Sequence, residues 1–142
     1  MAIKALEAAN YLLSKTDEED GETISNLKLQ KLLYYAQGIH LAKYGKPIFD
    51  EPIQAWMHGP VVPAVYHKFK NFGENSIPRP RKAPDFFGKE KVVLDAVYRV
   101  YGQFSAWKLR NFTHDEPPWK DAALGATISH SSLKNYFKTQ LV

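Results

Sequence analysis

The sequence NLKLQKLLYYAQGIHLAKYG, residues 26–45, decides the fold. It contains no proline, Ser25 or Asn26 can cap its start, and Gly45 can end it, so it predicts a helix from Leu27 to Tyr44. Its apolar side chains wrap more than one face, which is typical of the central helix of a bundle. We expect five of them in the centre of the protein: Leu29, Leu32, Leu33, Ala36 and Ile39.

Polar side chains interrupt this apolar helix in two places. Gln30 and Gln37 need hydrogen-bond partners if they are buried. They either fix one packing arrangement or face a partner, and the sequence leaves both alternatives open. On the neighbouring stripe, Lys28, Lys31 and Tyr35 predict a basic and aromatic surface that meets an acidic patch of a partner.

The segment after this helix does not continue the helical pattern of apolar residues. Pro47 and Pro52 break the helical period between residues 47 and 57, and the apolar residues there indicate short extended pieces. Elsewhere apolar residues recur at three- and four-residue spacing. The predicted class is therefore mainly α: a compact single domain over residues 1–142, with about six helices and a small β-hairpin or strand pair near residues 47–57.

Length and composition narrow the function classes. The 142 residues suit one domain, and the absence of cysteine excludes disulfide scaffolds and thiol nucleophiles. The N-terminus lacks a secretory h-region, and no stretch approaches the roughly 20 apolar residues that cross a bilayer. These features predict a soluble, cytoplasmic protein without membrane contact, and they leave its oligomeric state open.

The net charge of +4 is distributed unevenly. Residues 1–71 carry 8 Lys/Arg and 8 Asp/Glu, whereas residues 72–142 carry 11 and 7. Part of the excess is the basic loop, which we define as Arg79, Arg81 and Lys82. Such a cluster either contacts nucleic acid or an acidic partner, or is a solvated loop, and the solvated loop is the more frequent case.

Catalytic and cofactor motifs are missing from the sequence. It has no Walker loop, no G-x-G-x-x-G, no H-E-x-x-H and no G-x-S-x-G, and we predict no cofactor, no metal site and no enzymatic activity. The most enzyme-like group is Thr113-His114-Asp115-Glu116, in which a histidine beside carboxylates suits a general base. A cluster of this kind between two helices more often caps the second helix, and we favour that interpretation.

An aromatic turn is the strongest candidate for partner binding. His58-Gly59-Pro60 predicts a turn, flanked by Trp56 and Tyr66. Tryptophan and tyrosine are favoured hot-spot residues of interfaces, so these five are candidate partner-binding residues. The sequence leaves open whether Trp56 and His58 lie in the core or on the surface.

Four stretches, in this order, resemble a known family. They are LKLQKLLYYAQ at 27–37, GKPIFDEPIQAW at 45–56, HGPVVPAVY at 58–66 and THDEPPW at 113–119. They are similar to the motifs of the Panacea domain, which occurs in SocA-type antitoxins and phage-associated GepA-like proteins. The helix motif is the most specific for this family, because a match to GPV or PW alone would be weak evidence.

The resemblance implies an antitoxin that binds and neutralises a cognate toxin or phage effector. The founding type of the family acts as an adaptor that delivers its toxin to a ClpXP-type protease. The resemblance therefore implies a proteolytic adaptor as one mechanism for this protein. The alternative function is a phage-associated regulatory protein that contacts nucleic acid through the basic C-terminal half. An enzyme centred on His114 is the least favoured hypothesis.

Overall fold

Helices surround one central helix in the computed structural model, which describes residues 2–17, 19 and 21–141. Over these residues the elements are α1 (Ala5–Ser14), α2 (Asn26–Tyr44), β1 (Gln54–Trp56), β2 (Gly59–Val61), α3 (Pro63–Phe69), α4 (Lys89–Tyr101), α5 (Ala106–His114), α6 (Pro117–Lys120) and α7 (His130–Lys138). A 3₁₀ turn, Lys70–Phe72, follows α3. The mainly helical class is confirmed, with seven α-helices in the described residues. That residues 1–142 form one domain stays a prediction.

Helix α2 lies at the centre because it is apolar on most sides. The Ser25 hydroxyl caps its first turn by accepting from the Lys28 amide, and Gly45 follows its last residue. Helices α1, α3, α4, α5 and α7 all pack against it. Four of the five predicted central side chains are fully buried, and Ile39 is partly buried: Leu29, Leu32, Leu33 and Ala36 have no exposed surface.

The two glutamines of α2 lie inside the protein and hold neighbouring chain segments. The Gln30 Oε1 accepts from the Val62 amide at 2.9 Å. Gln37 donates to the Phe49 carbonyl at 2.7 Å and accepts from the Ile48 amide at 2.8 Å. Both side chains therefore fix the packing of the chain segments before and after the hairpin.

Helix α7 approaches α2 closely at Gly38. A Cβ atom at this position would lie 2.1 Å from the Phe137 ring, far inside van der Waals contact. The missing side chain thus makes room for Phe137, which also packs edge-on against Tyr34 with ring centroids 5.5 Å apart.

The predicted strand pair exists, but it begins later than expected. β1 pairs antiparallel with β2, and Trp56 lies opposite Gly59. Gly59 and Pro60 therefore belong to a strand and not to a turn, which consists of Met57 and His58. The second strand lies outside the predicted range 47–57, because Pro60 occupies a position in β2 and does not end it.

Candidate functional site: an aromatic groove

A groove of about 430 Å³ opens between the hairpin, the first half of α2 and the start of α5. We call it the aromatic groove. Its lining residues are Asn26, Leu27, Gln30, Lys31, Trp56, Met57, His58, Val61, Tyr66, Lys70, Gly73, Glu74 and Trp107. Four of the eight predicted partner-binding residues therefore line the groove: Lys31, Trp56, His58 and Tyr66.

Aromatic rings form the walls of the groove. Trp56 is half-buried and packs edge-on against Tyr66, with ring centroids 5.0 Å apart. The rings of His58 and Trp107, which also line the groove, lie 5.9 Å apart. The side chain of Met57 is 68% exposed and that of Trp107 is 54% exposed. Large apolar side chains that remain in water beside a groove are typical of an interaction site.

Lys31 lies under the hairpin as the floor of the groove, with no exposed surface. Its Nζ donates to the Pro60 carbonyl at 3.1 Å. Burial removes water from the ammonium group, and Arg110 adds repulsion, so the pKa of Lys31 is lowered to about 7. The surface role predicted for this lysine as part of a helix stripe is wrong, because the hairpin covers it.

Gly59 makes this arrangement of lysine and hairpin possible. Its φ of 114° is a conformation that L side chains rarely adopt. A Cβ atom there would lie 2.6 Å from the Lys31 Cε and 2.9 Å from the Thr113 Oγ1. Gly59 and Pro60 are both buried and do not line the groove themselves; they contact Lys31, which does.

The other two residues of the predicted stripe lie elsewhere. Tyr35 is fully buried and stacks on Tyr101 with ring centroids 3.8 Å apart, so its predicted surface exposure is wrong. Lys28 is partly exposed and lines a neighbouring cavity, where its Nζ donates to the Gly102 carbonyl at 2.7 Å. The three side chains do not form one surface, because helices pack on most sides of α2.

A second charge, which is partly buried, lies between α2 and α6. The Glu116 carboxylate accepts from the Tyr34 hydroxyl at 2.9 Å and from the Tyr35 hydroxyl at 3.0 Å. Burial raises the pKa of Glu116 to about 7, although the two tyrosine hydrogen bonds act in the opposite direction. This carboxylate joins α6 to the central helix.

The capping role predicted for Thr113-His114-Asp115 is wrong. Glu116 is the residue before α6, and its side chain makes no capping hydrogen bond within the part of the chain that the structure describes. Thr113 donates instead to the Arg110 carbonyl at 2.7 Å within α5. His114 stacks on Trp119 with centroids 3.8 Å apart, and its pKa is lowered by burial and by nearby cations. A four-residue helix starting with two prolines has few free N–H groups to cap.

The stretch 113–119 instead supports the hairpin. The Trp119 Nε1 donates to the Trp56 carbonyl at 2.8 Å, at the end of β1. Thr113 is buried next to Gly59, and Glu116 holds the two tyrosines of α2. These contacts fix the hairpin over α2 and thereby keep the aromatic groove in shape.

The basic loop lies outside the groove. Arg79, Arg81 and Lys82 are exposed, and Arg79 donates to the Ser14 carbonyl at 2.6 Å at the end of α1. None of the three lines the groove. Whether the loop binds anything stays a prediction.

Met57 and Trp107 are groove residues that the sequence prediction missed. α5 buries Leu109 and Thr113, which are four residues apart and so lie on one face. Trp107 precedes Leu109 by two residues and therefore projects from another side of the helix. A tryptophan off the apolar face of an amphipathic helix is the signal that would have identified it.

The residues that the structure describes contain no cluster of three or more His, Asp or Glu side chains able to hold a metal ion. Within the same residues, no helix combines the length and the apolar character that crossing a membrane requires.

Comparison with known proteins identifies the family. Residues 29–120 match the family described as Antitoxin SocA-like, Panacea domain. Antitoxin SocA of Caulobacter vibrioides (strain NA1000 / CB15N) is 31% identical over 162 aligned residues, which cover 99% of this chain and 86% of the relative. The chain belongs to the SocA-like Panacea domain family. No solved structure matches it.

Proposed function

We propose that this protein is an antitoxin that neutralises a protein toxin by binding it directly in the aromatic groove. The proposal draws on membership of the SocA-like family and on similarity to a relative named as an antitoxin. The groove supplies the surface: Met57 and Trp107 remain largely exposed beside the half-buried Trp56. Exposed tryptophan and methionine are enriched at the centres of protein interfaces.

The observation that carries the proposal is the exposure of Trp107 on a helix whose start is capped. It lies in the first turn of α5, where the Ser105 hydroxyl accepts from the Lys108 amide and fixes the helix start. The Arg110 guanidinium lies over its ring, 4.5 Å from the centroid. An aromatic side chain that is held in place before binding loses little entropy on association.

The protein encoded by the gene beside this one is the first partner to test. The two proteins are co-expressed, growth rescue is scored, and the purified pair is titrated by calorimetry. We expect rescue of growth and a complex with 1:1 or other simple stoichiometry. A neighbouring protein that inhibits growth and is neither bound nor counteracted by this chain would contradict the proposal for that pair.

The proposed activity is binding without catalysis. The best catalytic candidate, His114, stacks on Trp119 and supports the hairpin. His114→Ala should reduce toxin neutralisation only as far as it reduces stability, which urea unfolding measures separately. A folded His114→Ala variant that still binds the toxin and no longer protects cells would support an enzyme instead.

Two finer elements of the proposal remain predictions. Delivery of the bound toxin to a ClpXP-type protease begins with the same binding step, and toxin half-life in cells with and without the protease tests it. We also propose that binding takes place in the cytoplasm, since a cysteine-free sequence suits a reducing compartment.

A further inference from the structure

We infer that the aromatic groove accepts an acidic side chain of the toxin, whose carboxylate pairs with the ammonium group of Lys31 after a shift of the hairpin that covers this lysine. This inference rests on the proposed function and specifies the chemistry of the partner. It requires an aspartate or glutamate of the toxin that lies beside an apolar side chain.

The first argument is the incomplete pairing of Lys31. A lysine ammonium group carries three protons, and the described residues offer it one acceptor, the Pro60 carbonyl at 3.1 Å. No carboxylate of the described residues forms an ion pair with it. A buried cation without a counter-charge is unfavourable, and a carboxylate from a partner would remove that penalty.

The second argument is the charge around Lys31. The ionisable groups on the elements packed around it are His58 of the hairpin, Lys70 and Glu74 after α3, and Arg110, His114 and Asp115 at α5. Lys70 and Arg110 are matched in number by Glu74 and Asp115, but cations have the larger effect next to Lys31. Arg110 lowers the pKa of Lys31, and Arg110 and Lys31 both lower the pKa of His114 more than Asp115 raises it. The buried Nε atom of Arg110 and the buried Nε2 atom of His114 have no hydrogen-bond partner in the described residues. This region therefore favours an anion.

The third argument is the apolar wall above the lysine. Trp56, Met57 and Trp107 surround the entrance of the groove, and a bound side chain would displace water from it. Attraction between opposite charges strengthens as water is excluded. The groove therefore suits a carboxylate next to an apolar group better than a fully hydrated anion.

Two small probes test this on the chain alone: 4-phenylbutyrate, and its neutral amide 4-phenylbutanamide. Binding is followed by NMR of protein labelled with ¹³C at the lysine Cε. At pH 6 we expect the Lys31 signal to shift and the carboxylate to bind about tenfold tighter than the amide. At pH 9, where Lys31 has lost its proton, we expect that preference to fall below about threefold.

Matched variants assign the effect to one group. Lys31→Met removes the charge and keeps an apolar chain of similar length, so it should abolish the preference for the carboxylate. Lys43→Met makes the same substitution at an exposed lysine in the last turn of α2, outside the groove, and it should leave the preference intact. If Lys31→Met does not fold, the pH profile of the wild-type Lys31 signal decides the question.

Three results would overturn the inference. They are equal binding of both probes at pH 6, a preference that survives in Lys31→Met, and a carboxylate dissociation constant below about 1 µM, which would indicate a small-molecule site. Because the toxin is absent from this experiment, its failure leaves the calorimetric test of toxin binding unaffected.

Discussion

Lys31, which is buried, and Glu116, which is partly buried, are two charged residues at the central helix that differ in their hydrogen-bond partners. Glu116 accepts hydrogen bonds from two tyrosine hydroxyls and joins α6 to α2. Lys31 has one carbonyl partner and borders a groove with exposed apolar side chains. Glu116 therefore stabilises the packing of α6 on α2. Lys31 has ammonium protons without an acceptor in the described residues, next to the surface that we propose for toxin binding.

The two groups give opposite pH signatures of stability. The pKa of Lys31 is lowered from 10.5 to about 7, so the unfolded state binds more protons between these values and stability rises with pH there. The pKa of Glu116 is raised from 4.5 to about 7, so the folded state binds more protons and stability falls as pH rises through that window. The loss of stability caused by the charged form of Lys31 is complete below about pH 7. The loss caused by the charged form of Glu116 is complete above about pH 7.

The largest expected effect is that of Lys31→Met. Removing the buried charge should increase the free energy of unfolding by about 3–5 kcal/mol at pH 6, and the gain should shrink toward zero by about pH 10. Toxin binding should weaken at least about tenfold. Urea unfolding at several pH values and calorimetry measure the two effects. A variant less stable than wild type at pH 6 would mean that Lys31 is well solvated or paired.

The next effect is that of Glu116→Gln, which keeps the shape and removes the charge. We expect a gain of about 2–3 kcal/mol in the free energy of unfolding at pH 8 and little change at pH 4.5. Toxin affinity should stay within about twofold of wild type, since Glu116 lies outside the groove. Loss of binding by a fully folded Glu116→Gln variant would refute the division of roles between the two charges.

Truncation of the exposed groove wall should affect binding more than folding. Trp107→Ala is expected to weaken toxin binding by about 2 kcal/mol, or roughly 30-fold, with a stability change within about 1 kcal/mol. Phe87→Ala is the matched control, because Phe87 is an aromatic side chain that is 80% exposed and does not line the groove. Equal losses for both variants would indicate a nonspecific apolar effect.

The basic loop should have the smallest effect. Changing Arg79, Arg81 and Lys82 together to glutamine is expected to alter toxin affinity less than about threefold, mainly through the association rate. The same variant tests the alternative function, because binding of a 30-base-pair DNA by the wild type at physiological salt, and its loss in the variant, would favour nucleic-acid recognition.

The central helix was predictable because its signal is local. Apolar residues on most sides, a capping Ser25 and a terminal Gly45 require no knowledge of the rest of the chain. The hairpin was predicted too early in the sequence, because its second strand contains Pro60 and is held by residues that are distant in sequence. Among these is the hydrogen bond from the Trp119 side chain to the Trp56 carbonyl, across 63 residues.

The groove was only partly predictable for the same reason. Trp56, His58 and Tyr66 are close in sequence, so their grouping followed from the motif itself. Helix periodicity placed Lys31 and Tyr35 on one stripe, but it could not show that the hairpin and other helices cover that stripe. Trp107 joins the groove from a helix about fifty residues away, which only the tertiary structure reveals.

The most direct measurement of the central claim is hydrogen–deuterium exchange of the chain with and without its toxin. Met57 and His58 in the turn and Trp107 and Lys108 in the first turn of α5 are exposed next to the groove, so we expect these segments to exchange faster than the buried α2 in the free protein. The account predicts that the toxin protects peptides covering residues 54–61 and 105–108 and leaves residues 79–82 unchanged. Protection confined to residues 79–82, with no change at the groove, would contradict it.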